Sequence, residues 1–148
     1  MKKIIIFIVG IVGVGVLYWL VSPLFITKNV QESLPDVSSA SVERKEVVRG
    51  KFMGLAGHSA KGDAVLLRVG DKNIIRFEDN FSVTNGPDLF VYLGNNGVYD
   101  PNARLDALKG NVGSQNYEIP SIIDIKNYNE VWVWCRAFSV PFGKATLR

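Results

Sequence analysis

Hydrophobic residues run along this chain in two rhythms: one unbroken block at the N-terminus, then short alternating bursts to the end. Ile4 to Val21 is a run of 18 residues without a charge, preceded by Lys2 and Lys3, and the uncharged stretch continues through Ser22 and Pro23 to Ile26. A helix rises about 1.5 Å per residue, so about 20 apolar residues cross the hydrocarbon layer of a bilayer. Residues 1–26 are therefore expected to form a transmembrane signal-anchor, with Tyr18 and Trp19 near the far membrane–water boundary. A cleaved signal peptide has a shorter apolar region and a small-residue cleavage site, which Ser22-Pro23-Leu24-Phe25 does not resemble. The basic flank predicts a cytoplasmic N-terminus and an extracytoplasmic remainder, the topology of a single-pass protein of the cell membrane.

Residues 27–46 read as a stalk or linker: polar, mixed in charge, with Pro35 and a Ser38-Ser39-Ala40-Ser41 run. Its end, Ser41 to Val48, forms a short helix or leads directly into a first strand. From about Val47 the apolar runs become short and are punctuated by Gly, Asn, Asp and Pro. Strands are predicted over Arg49–Met53, Ala64–Val69, Asn73–Phe77, Phe81–Thr84, Leu89–Leu93, Tyr117–Ile119, Ile122–Ile125, Glu130–Phe138 and Lys144–Leu147. Gly70-Asp71-Lys72 marks a hairpin, Asn85-Gly86-Pro87-Asp88 a turn, and Gly94 to Arg104 a long Asn/Gly loop containing Pro101. No helical pattern of ten or more residues follows the anchor. The expected domain, 47–148, is all-β, a sandwich or barrel-like arrangement of short antiparallel strands.

Charge narrows the function classes. The net charge of +3 is spread along the chain, with no clustered basic stripe, so a nucleic-acid partner is not expected. A single cysteine rules out an internal disulfide, which leaves the packed core to hold the exported domain together. There is no dinucleotide fingerprint, phosphate loop or nucleophile elbow. Glu78 and Asp79 are adjacent and point to opposite faces of a strand, which does not suit paired acid–base work.

The stretch Glu130 to Phe138 carries the most chemistry. Alternation puts Val131, Val133, Cys135 and Ala137 on one face and Trp132, Trp134, Arg136 and Phe138 on the other. Both faces are largely apolar, which predicts a central strand covered on each side, with Arg136 snorkelling or lying across Trp134 or Phe138. Cys135 has two readings. In line with valines and alanine it is a small core hydrophobe. As an unpaired thiol in an exported protein it is a candidate for reactivity, ligation or intermolecular pairing.

Four blocks in order, Gly50 to Gly62, Thr84 to Leu93, Asn116 to Pro120 and Val131 to Val140, resemble the DM-thirteen domain family and cover nearly all of 47–148. The resemblance implies an extracytoplasmic β domain proposed for electron transfer, often found beside DOMON and membrane cytochrome modules. It also implies that Cys135 stands where the family's cysteine is suspected of redox work, as a bare thiol or as a ligand to a prosthetic group such as haem. With neither companion module in this sequence, a separate redox partner protein is expected.

Two further residues are candidate ligands. His58, in a Gly-rich loop, is either an exposed loop histidine or a partner of Cys135 at a transition metal or haem. Asp88 is a turn-capping residue or a third ligand. One Cys and one His are too few for a closed structural zinc site, and covalent haem attachment needs a C-x-x-C-H run that is absent. The cofactor stays open between haem, a transition metal and none. Function stays open between a membrane-tethered redox module using Cys135 and a non-catalytic binding module, for which Tyr92, Tyr99 and Tyr117 are contact candidates.

Overall fold

The computed structural model describes residues 2–22, 26–34 and 43–148. The Pro23–Phe25 boundary, the serine-rich part of the expected stalk (35–42) and the Trp19 side chain lie outside the described residues. The apolar block forms α1 (Lys2–Val21). Its described apolar side chains are exposed, from Ile4 at 64% to Tyr18 at 72%. Among the described residues no helix is long and apolar enough to cross a membrane.

Among the described residues ten strands follow: β1 (Arg44–Gly54), β2 (Ala60–Lys61), β3 (Asp63–Val69), β4 (Lys72–Phe77), β5 (Ser82–Val83), β6 (Leu89–Asn95), β7 (Val98–Ala107), β8 (Gln115–Glu118), β9 (Glu130–Cys135) and β10 (Val140–Thr146). Eight of them form one sheet in the order β7-β6-β9-β10-β1-β3-β4-β8, while β2 and β5 pair separately. All these pairings are antiparallel. Strand β1 is the seam: Arg44 to Lys51 pairs with β3, and Phe52 to Gly54 pairs with β10. The free edges are brought together where the Lys109 N–H donates to the Tyr117 hydroxyl and Lys109 Nζ to the Asn116 carbonyl. The result is a near-closed, barrel-like sheet. Its centre is filled by Phe52, Phe77, Phe81 and Tyr117, whose ring centroids lie 4.6–5.1 Å apart in the contacting pairs.

Several sequence expectations shift. Gly94 to Arg104 is not a loop but the β6–β7 hairpin, turned by Asn96 and Gly97 at φ 53° and 84°. Strand β7 has only Ala103 buried, and its Pro101 is tolerated because an edge strand need not donate every N–H. Those polar, outward residues hid the strand. Ile122–Ile125 is not a strand: the Ile123 N–H donates to the Pro120 carbonyl, and Asp124 caps a 3-10 turn at Ile125–Asn127. Strand β9 stops at Cys135, because residues 136–139 turn the chain straight back so that Val140 pairs with Cys135. The first strand begins at Arg44, inside the segment expected to be stalk.

The rest of that segment is not a free tether where it is described. The Ile26 N–H donates to the Ser22 carbonyl at 3.1 Å, and the chain then lies beside residues 111–116 as a strap. Val30 and Glu32 donate their N–H groups to the carbonyls of Val112 and Ser114, each at 2.9 Å. The Glu32 carboxylate meets Lys109 Nζ at 2.8 Å and the Asn116 N–H at 2.6 Å. Arg76 Nη1 donates to the carbonyls of Glu32 and Ser33. Gly110 and Gly113 make the close approach possible, since a Cβ at either would strike the strap's backbone at Lys28 or Val30.

Partial burial works to raise the Glu32 carboxyl, but Lys109, the Asn116 N–H and Arg76 outweigh it and hold the group below the ordinary carboxylate range. The folded state therefore binds this proton less readily than the unfolded chain. The stabilisation is present above the ordinary carboxylate pKa and is lost as pH falls through the lower folded value. Thermal unfolding followed by circular dichroism should show a smaller acid-induced drop in Glu32→Gln than in the parent chain. An identical drop in both would remove Glu32 from the strap's hold.

Candidate functional site

Cys135 is the last residue of β9, its side chain fully buried in the main core. The alternation predicted from the sequence holds to this point: Val131, Val133 and Cys135 face inward together. The cross-strand neighbours of Cys135 are Leu89 on β6 and Val140 on β10. Among the described residues its Sγ has no hydrogen-bond partner.

Leu89 and Phe142 meet over Gly86, where a Cβ would collide with both. Phe142 occupies the bulge between Pro141 and Gly143 in β10. The half-buried His58 ring lies flat on Phe142, with centroids 3.6 Å apart and an interplanar angle of 9°. Stacking spends one face of the imidazole on the Phe142 ring.

Asp88 goes elsewhere. Its carboxylate accepts from Arg136 Nε at 3.0 Å, while the Asp88 carbonyl accepts the Arg136 N–H. Arg136 follows Cys135 directly and, by alternation, faces outward, so Asp88 is spent on a partly exposed ion pair. No group of three metal-capable side chains occurs among the described residues. A sulfur with no solvent exposure, closely packed among aliphatic side chains, leaves no space for a haem plane at Sγ. The residues do not fit a haem or a multi-ligand metal at Cys135 in this closed form.

The opposite face of β9 holds a second cluster. Tyr99 stacks on Trp134 with centroids 4.0 Å apart at 24°, and its edge meets Tyr92 at 5.3 Å. Trp132, nearly buried, packs over Gly94, whose missing side chain makes room for the indole. Its Nε1–H donates to Glu130 Oε2 at 3.2 Å, and Lys144 Nζ sits 5.0 Å from its ring centroid. Glu130, only 4% exposed, also accepts from Lys144 Nζ at 2.6 Å and from the Gly97 N–H at 3.0 Å. Arg136 lies across Phe90 at 4.4 Å, not across Trp134 or Phe138.

Of the three tyrosines expected as contacts, Tyr92 and Tyr117 are buried and only Tyr99 is half-exposed. The Tyr117 hydroxyl donates to Gln115 Oε1 at 2.6 Å, and burial pushes its pKa well above the ordinary phenol value. Sequence reasoning split this outer cluster because it placed Tyr99 in a loop. The Asn96-Gly97 pair was the signal that pointed to the hairpin.

A family profile described as Electron transfer DM13 matches residues 51–147, from the middle of β1 to just past the end of β10. No curated protein and no solved structure matches the chain.

Proposed function

The chain belongs to the electron-transfer DM13 family, and from that premise we propose that it is a membrane-attached, extracytoplasmic redox module whose Cys135 thiol works from behind a side-chain cap at one end of the barrel. Family membership supports a redox-like role for the barrel as a whole. The attachment rests on the apolar helix α1 together with the uncharged sequence that carries on to Ile26. A separate redox protein is the partner.

The observation that carries the assignment to Cys135 is its position. It is the only cysteine, it ends β9 directly before the 136–139 turn, and its cross-strand neighbour Leu89 meets Phe142, which carries the stacked His58 ring, at Gly86. In the closed form the thiol meets no reactant, so the reaction requires the cap to move. In detergent, the full chain should react with an alkylating reagent at Cys135 faster than it unfolds globally. His58→Ala, which strips one ring from the cap, should speed that reaction several-fold. Cys135→Ala should lose the electron-exchange signal of the adsorbed protein in voltammetry.

The full burial of Cys135 favours a second reading, in which the cysteine is a core residue of a non-catalytic binding module. Alkylation no faster than global unfolding, with an unchanged voltammetric signal in Cys135→Ala, would select it.

A further inference from the structure

We propose that the stacked pair Tyr99–Trp134 is a one-electron donor site on the outer face of the barrel, independent of Cys135, that serves a strong oxidant of the ferryl-haem class. Phenols and indoles give up electrons only to strong one-electron oxidants, and a ferryl haem is one such acceptor. The two rings lie nearly parallel with centroids 4.0 Å apart, so their π systems are in direct contact. Both side chains are half-exposed, unlike Trp132 and Tyr92 beside them. An oxidant can approach the pair without entering the core.

Exposure selects Trp134 over its neighbour. Trp132 is buried, and charges of both signs lie against it, Lys144 Nζ 5.0 Å from the ring centre and the Glu130 carboxylate on its indole N–H, so they largely offset one another. Among the described residues no cation lies over Trp134; the other ring–cation pairs place Arg104 and Arg136 on Phe90 and Lys109 on Tyr117. The oxidant takes one electron from the Trp134 indole. The Tyr99 phenol then returns one electron to the indole, and its O–H bond breaks with the proton passing to water. The net change is one electron gained by the oxidant, one phenoxyl radical on Tyr99 and one proton released.

Photogenerated tris(bipyridine)ruthenium(III) supplies the oxidant in a flash experiment on the full chain, read by transient absorption. The parent chain should show an indolyl radical that decays as a phenoxyl radical grows. Tyr99→Phe keeps the stacked ring and removes only the hydroxyl; it should lose that growth and prolong the indolyl signal. Trp134→Phe should lose the fast phenoxyl phase. Trp132→Phe should keep it. So should Tyr128→Phe, which removes a phenol that donates to Asp100 Oδ2 at 2.7 Å. Near-parental thermal unfolding of Tyr99→Phe guards against a trivial loss of fold. The proposal is overturned if phenoxyl growth survives in Tyr99→Phe or keeps its time course in Trp134→Phe. Cys135→Ala separates the two functional readings: it removes the voltammetric signal described above and leaves this radical transfer intact.

Discussion

Glu130→Ala is expected to destabilise the barrel by about 3–5 kcal/mol, the range for removing one partner of a buried ion pair. The carboxylate side chain is 5% exposed and the Lys144 side chain 18%, so the pair is screened little by water. One carboxylate satisfies three donors: Lys144 Nζ, the Trp132 indole N–H and the Gly97 backbone N–H at the tip of the β6–β7 hairpin. Alanine leaves an ammonium and two N–H groups without that acceptor, at the start of β9 where the outer aromatic cluster begins. Glu130→Gln can keep an oxygen for the two N–H groups but turns an amide NH2, which cannot accept, toward Lys144 Nζ, so it should cost less than alanine while still losing the ion pair. Urea unfolding of the three chains provides the measurement. A loss below about 1 kcal/mol for Glu130→Ala, the range of a surface pair, would show that solvent reaches this site.

Phe77→Ala is expected to cost about 3–5 kcal/mol, because a fully buried ring is deleted and its neighbours cannot collapse fully into the space. Its ring touches Phe52 edge-on at 4.8 Å, Phe81 at 4.6 Å and Tyr117 at 5.1 Å, linking β1, β4 and β8 through the interior. Phe77→Leu refills part of the volume and should lose less. The pair also interprets the alkylation of Cys135. Phe77→Ala makes global unfolding easier without touching the cap, whereas His58→Ala loosens the cap. If alkylation accelerates with Phe77→Ala and not with His58→Ala, the thiol is reached by unfolding the barrel, and the cap mechanism fails.

How much of this was legible beforehand follows from which forces are local. Strand β9 was readable because β-strand alternation is a property of the backbone alone, so Val131, Val133 and Cys135 share a face in any sheet. The β3–β4 hairpin was readable from its apolar runs and the glycine turn between them, and Gly70 does adopt a positive φ of 61°. Strand β7 was missed because an edge strand with one buried residue carries almost no hydrophobic signature. The strap was missed for a similar reason. Glu32 and Asn29 look like linker residues until the distant Lys109, Val112 and Asn116 arrive beside them.

By itself, the sequence determined an apolar N-terminal helix, an all-β domain, the absence of any internal disulfide, membership of the family and the face that Cys135 shares with Val131 and Val133. All of these depend on composition or on contacts between near neighbours. Only the tertiary structure decided that the sheet nearly closes into a barrel, that the thiol is sealed, that Asp88 is taken by Arg136 and His58 by Phe142, and that Tyr99 reaches Trp134. Each of those rests on strand register across long sequence separations. Register is set by the summed packing of the whole sheet, which no short stretch of residues encodes.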